Sequence, residues 1–205
     1  MATRVWHPGA ERRRLEDAGP YTGGGRKFCV HTTEGPTLEG AFTTLDANRS
    51  APHFILEVKD GRRKLVQCVP INRAARSLAH PFGPDTNKAN CIQVEVVGWT
   101  NKSLAEAAGH PELWVGNWEP AVYRFLHRLM QWTNRHFDVP MTASFAFPGK
   151  PGFRRLGGQE FFDAVGLVGH CHAPGNDHTD PGPLKVRRVL FGPAAAGAHT
   201  HPLPA

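Results

Sequence analysis

Between Gly169 and Gly182 the chain reads GHCHAPGNDHTDPG. Eleven of those residues hold three histidines, His170, His172 and His178, and two carboxylates, Asp177 and Asp180. Neutral imidazole and carboxylate oxygen are the donors found at catalytic zinc, where three protein ligands leave a position for water. Two prolines and three glycines interrupt the segment, so it cannot be regular helix or strand throughout. It reads as a strand end passing into a shaped loop, with the chemistry of a metal hydrolase. Another imidazole, His31, closes the apolar run Phe28-Cys29-Val30. Asp180 follows His170 by ten residues, enough for the loop to fold back and close a three-ligand set. Glu95 is a carboxylate flanked by Val94, Val96 and Val97. On an apolar strand it loses hydration, which raises its pKa toward the range a general base needs. The structural alternatives are an ion pair from Glu95 to Arg73 or Arg76, and a core role for His31 bonded to a carbonyl.

Such side chains need rigid supports. Residues 27–33 are rich in β-formers and predict a strand. Thr37 can cap a helix running to Asn48, with Leu38, Phe42 and Leu45 on one face. Residues 53–58 and 64–69 predict two strands joined through Asp60-Gly61, a hairpin signal. A short helix is expected over 74–78 and a loop over 80–89. The near-continuous apolar run 90–97 predicts a central strand covered on both faces. The longest helix is expected over 119–137, capped near Asn117 or Trp118, with Val122, Phe125, Leu126, Leu129 and Met130 on its buried stripe. A long loop over 143–159 precedes a short strand at 164–168, which leads into the histidine segment. The expected organisation is an irregular segment over 1–25, one domain over 26–189 and a flexible tail over 190–205. Interleaved strands and helices give an α/β class, a central mixed sheet flanked by helices.

The bulk properties narrow the function. The 205 residues carry a formal net charge of +6, which favours anionic partners. The basic residues form short separate clusters at 12–14, 62–64 and 187–188. Without a continuous basic stripe interleaved with aromatics, nucleic acid is not the expected partner. The four cysteines, Cys29, Cys68, Cys91 and Cys171, make no CxxC pair and are expected as buried thiols, although Cys171 lies where it could reach a metal. A closed, cysteine-rich structural zinc site is not expected. No apolar run is long enough to span a bilayer, and no secretory signal is read at the N-terminus, so the expectation is a protein made in the cytoplasm of the producing cell without membrane insertion; a monomer is expected.

Three motifs in order, Val30-His31-Thr32-Thr33-Glu34-Gly35, Asn90-Cys91-Ile92-Gln93-Val94-Glu95-Val96-Val97-Gly98 and Gly169-His170 through Thr179-Asp180-Pro181-Gly182-Pro183, resemble the zinc-dependent N-acetylmuramoyl-L-alanine amidases of the amidase-2 class. Ser50-Ala51-Pro52-His53-Phe54 and Val69-Pro70 sit where that family places its hairpin. The resemblance covers roughly residues 25–183. It implies a peptidoglycan-recognition-protein-like fold and zinc held by His31, His170 and Asp180, with His172 a competing second ligand. It gives Glu95 the place of the glutamate that activates water. His178 stands where many relatives have lysine, and it implies an oxyanion partner there. Arg76 is expected along the substrate groove. The implied reaction cuts the amide between the lactyl group of N-acetylmuramic acid and L-alanine of peptidoglycan. The implied setting is a phage endolysin reaching the wall after holin-dependent release; the alternatives are a cytoplasmic muropeptide-recycling amidase and a non-catalytic peptidoglycan-binding module. Trp99, Trp114 and Trp118 are either stacking platforms for sugar rings or core.

Overall fold

A computed structural model describes residues 6–78, 84–148 and 154–193. Its frame is a six-stranded sheet of β1 (Glu11–Arg12), β2 (Lys27–Thr32), β3 (Phe54–Lys59), β4 (Arg62–Gln67), β5 (Cys91–Val96) and β6 (Gly166–Gly169), in the order β1-β4-β3-β5-β2-β6. Only β3 and β4 are antiparallel. Asp60 and Gly61 join them with φ of 51° and 70°, the left-handed pair that a two-residue hairpin turn demands. β2 and β5 are buried along their whole length, as central parallel strands covered on both faces must be.

Alternate residues of β2 and β5 serve two different cores. Phe28, Val30, Ile92, Val94 and Val96 pack with helix α3 (Pro120–Phe137), which brings Val122, Leu126, Leu129 and Met130 to them. Pro120 starts α3 at a position where its missing N–H costs nothing, and Glu119 precedes it as the cap residue, one place beyond Trp118. Helix α5 (Val186–Phe191) lays Val189 and Leu190 into the same core. The opposite face meets α1 (Leu38–Ala47), whose Leu38 and Ala41 pack on Ile55, Val66 and Val97, and α4 (Gly158–Asp163), whose Phe161 packs on Cys29, Cys91 and Val168. Thr37 caps α1 through a hydrogen bond from the Gly40 amide, 3.1 Å. Truncating a core leucine such as Leu126 to alanine would cost about 2–5 kcal/mol.

Five elements depart from the expectations, α4 among them, since no helix is expected over 158–163. Residues 74–78 are extended: Ala74 exchanges backbone hydrogen bonds with the 18–19 segment, and Arg76 with Ala51. A five-residue stretch cannot offset the cost of nucleating a helix when neighbouring chain offers these partners. The N-terminal segment is tied into the sheet, with β1 parallel to β4. Helix α2 (Lys102–Ala107) forms in a stretch where no element was expected, capped by Asn101. The chain remains helical through Phe191, so α5 occupies the boundary placed at 189–190; the rest of the expected tail, 194–205, lies outside the described residues, as do the centre of the 143–159 loop and residues 79–83.

Candidate active site

Register builds the site. His31 and Glu95 are direct partners on the neighbouring strands β2 and β5. Val30 pairs with Gly169 at the end of β6, so His170 leaves the sheet beside His31. Three adjacent strands therefore present His170, His31 and Glu95 in one row. Past His170 the chain makes a single 3-10 turn over 170–172 and returns so that the Cys171 amide donates to the Asp180 carbonyl, 2.8 Å. Gly169 permits that return: a Cβ there would stand 2.6 Å from Cδ of Pro181. At the end of β5, Gly98 has φ of 142°, and a Cβ on it would meet the Leu113 carbonyl oxygen at 2.3 Å.

The result is a buried cluster. His31 Nδ1 lies 3.1 Å from His170 Nδ1, and the Asp180 carboxylate reaches His170 Nδ1 at 3.2 Å and His31 Nδ1 at 3.6 Å. These three residues form the one group of potential metal donors among the described residues. Two neutral imidazoles facing each other through Nδ1 cannot both donate. Their Nε2 atoms are buried and have no hydrogen-bond partner among the described residues. Glu95 stands behind His31, with Oε1 3.8 Å from Nδ1. The Thr32 amide donates to Asp180 Oδ2 at 3.3 Å. His178 stacks on His170 with ring centroids 4.1 Å apart, and its Nδ1 lies 3.5 Å from Asp180 Oδ1. Its side chain is 58% exposed, so it stands at the mouth of the site.

The electrostatics follow from burial. Desolvation and the neighbouring His170 push the His31 pKa down to about 3, so it is a neutral ligand at physiological pH. Burial, with Asp180 and Glu34 nearby, holds Glu95 well above the ordinary carboxylate range. Burial acts on Asp180 in the same direction, but hydrogen bonds from His170 and His178 outweigh it and hold the carboxyl below its usual value. The hydrogen bond to Asp180 raises His178.

A cleft of about 280 Å³ opens on this row and extends along α1, past Thr44, Leu45 and Asn48 to Ser50 and Ser77. A larger cavity of about 360 Å³ lies among Val58, Val96, Trp118 and Val122 of the α3-side core and contains no member of the row.

The other residues singled out fall elsewhere. His172 is buried and fully engaged: its Nδ1 accepts from the Gly169 amide at 3.0 Å and its Nε2 meets the Ala146 carbonyl at 3.1 Å. It holds the turn and leaves no nitrogen for a metal. Arg76 does not line the cleft; its guanidinium pairs with Glu16 at 3.2 Å, while its neighbour Ser77 takes the groove position. Arg73 pairs with Asp17, so neither arginine neutralises Glu95. Cys171 is buried outside the donor group, and all four cysteines are free thiols. Trp99 and Trp118 are core, and Trp114 is half-buried with Nε1 bonded to the Thr100 carbonyl. Glu34 was missed: its Oε1 accepts from Thr32 Oγ1 at 2.6 Å and from the Thr100 amide at 3.0 Å. A lone glutamate after a strand carries no pattern that would have marked it.

The family model for N-acetylmuramoyl-L-alanine amidase, Amidase_2, matches residues 23–183. The chain belongs to the N-acetylmuramoyl-L-alanine amidase family. Among solved structures the amidase is similar to the Staphylococcus aureus hydrolase AmiA in complex with its ligand, at 13% identity and a TM-score of 0.55 over 93% of this chain and 85% of that one. It is similar also to a selenomethionine derivative of AmpD, at 17% identity and a TM-score of 0.54 over 91% and 97%, and to the PlyG catalytic domain, at 14% identity and a TM-score of 0.53 over 93% and 99%. At these identities the structures bear on the amidase fold alone. No curated protein sequence matches the amidase.

Proposed function

We propose that the cleft holds one zinc ion between His31, His170 and Asp180, and that the enzyme hydrolyses the lactyl amide between N-acetylmuramic acid and L-alanine of peptidoglycan. The observation that carries this reading is the row itself: two Nδ1 atoms and a carboxylate converge within 3.1 to 3.6 Å of one another, with a buried carboxylate next in line. Bonds of about 2.0–2.1 Å to a tetrahedral zinc would put ligand atoms about 3.3 Å apart, so the donor set fits the ion in type and in size. Bound there, zinc supplies Lewis acidity that polarises a carbonyl and acidifies water.

The remaining roles belong to the chain. Glu95 takes a proton from the attacking water and returns one to the departing amine nitrogen. Desolvation suits it to this exchange, because the proton is held more tightly than by an exposed carboxylate. His178, at the mouth, donates a hydrogen bond to the carbonyl oxygen as negative charge develops on it. Thr44, Asn48, Ser50 and Ser77 offer hydroxyl and amide groups along the cleft to the stem peptide. The setting we infer is lysis of a host wall by a phage enzyme that reaches it from the cytoplasm of the producing cell. The net charge of +6 supports this, since it suits adsorption to anionic wall polymers. No described helix is long and apolar enough to cross a membrane.

Mass spectrometry of purified peptidoglycan digested with wild type and Glu95→Gln tests the reaction. Wild type should release stem peptides with a free L-alanine amino terminus. The variant should bind zinc as well but cut about 10²- to 10⁴-fold more slowly. Cleavage at another bond would refute the substrate assignment, and undiminished cutting by the variant would remove Glu95 from the mechanism.

A further inference from the structure

Glu34 sits where the backbone alone would not choose it. Its φ is 49°, a left-handed conformation that glycine or asparagine enters more easily. Such a residue persists where its surroundings over-determine it, and here the side chain supplies the constraint. A single oxygen, Oε1, accepts from Thr32 Oγ1 at 2.6 Å and from the Thr100 amide at 3.0 Å, and the two threonine hydroxyls meet at 2.8 Å. Thr32 in turn donates its amide to Asp180 Oδ2. Thr100 faces the turn that follows Asp180, lying so close to Gly182 that a Cβ there would come within 3.0 Å of its Cγ2. The Glu34 carboxylate thus joins the exit of β2, the chain beyond β5 and the 180–182 turn. These three segments carry His31, Glu95 and Asp180.

We propose that Glu34 is a positioning residue that fixes the Asp180 carboxylate, through Thr32 and Thr100, in the orientation that binds the metal. The inference rests on the zinc reading of the site. The charge of Glu34 is not what the geometry uses. Both contacts need one acceptor oxygen with two lone pairs, which a glutamine amide also provides. Groups that orient a metal ligand typically contribute 10- to 100-fold in metal affinity.

The test is a zinc competition titration against a chromogenic chelator on wild type, Glu34→Ala, Glu34→Gln and Thr32→Val, with thermal unfolding of each metal-free protein measured alongside. Glu34→Ala should weaken zinc binding about 10- to 100-fold. Glu34→Gln should stay within about threefold of wild type, and Thr32→Val should fall between. A Glu34→Ala protein that melts earlier but binds zinc as tightly as wild type would overturn the proposal, leaving Glu34 a structural residue. Glu34→Gln as weak as Glu34→Ala would overturn it too, because charge would then matter and position would not. Should Glu34→Ala fail to fold, Thr32→Val carries the decision, and wild-type affinity in that variant refutes the role. Wild type that takes up no zinc overturns the reading of the site itself, an outcome distinct from those three.

Discussion

Two clusters of buried polar side chains share this sheet, and they are completed differently. Around His53 every ring nitrogen has a partner. Nδ1 accepts from the Gln93 amide at 3.0 Å, and Nε2 lies 2.9 Å from both the Tyr21 hydroxyl and the Arg73 carbonyl. Gln93 extends the network to the Ser77 amide and to Asn87. Two residues further along the same strand, Glu95 joins His31 and His170, whose Nδ1 atoms face each other beside the Asp180 carboxylate and cannot both donate. Buried polar groups left incomplete in a native fold call for an explanation, while completed ones explain themselves as architecture. On this criterion His172 belongs with His53, although it lies inside the histidine-rich motif.

Substitutions in the two clusters should have different consequences. Asp180→Ala should have the largest effect, because it removes a donor from the incomplete cluster. Cleavage of the lactyl amide should fall by about 10³-fold or more, with zinc lost in parallel; zinc retained at full affinity would detach Asp180 from the metal. His178→Ala should lower kcat by about 10²-fold or less, since the ring is half in solvent, and should weaken zinc binding far less than Asp180→Ala, which removes a donor outright. A rise in KM with unchanged kcat would make His178 a substrate contact only.

The His53 cluster should answer to pH. Burial lowers the His53 pKa from 6.5 to about 4, so the folded chain binds fewer protons than the unfolded chain in between. Its contribution is complete above pH 6.5 and is lost as pH falls toward 4, on the order of 3 kcal/mol in all. Urea midpoints across that range should show the loss, and His53→Gln should shrink it; an unchanged profile would mean the loss comes from elsewhere. The smallest effect is expected at Arg76, paired with Glu16 outside the cleft. Arg76→Ala should change stability by no more than about 0.5 kcal/mol, and a marked rise in KM for wall fragments would return it to the groove.

Much of this was legible in the sequence because it rests on local rules. Asp60-Gly61 specified a hairpin, Thr37 a cap, and the apolar run around Glu95 a doubly covered strand. A carboxylate in such a run marks itself. The choice between His170 and His172 was not legible, because it depends on the Ala146 carbonyl, which arrives from a separate loop. Arg76 misled because residues 74–78 pair with distant chain at Gly19 and Ala51, which aims Ser77 and not Arg76 at the cleft. Helices α2, α4 and α5 have six residues each, too few for a helical period to emerge. Glu34 was invisible for a related reason: its partner Thr100 lies 66 positions away.

The claim that the incomplete cluster is a metal site and the completed histidines are architecture meets its most direct test in zinc stoichiometry, measured by titration on wild type, His170→Ala and His172→Ala. One tightly bound zinc is expected in wild type and in His172→Ala, and none in His170→Ala. Zinc kept by His170→Ala and lost from His172→Ala would contradict it.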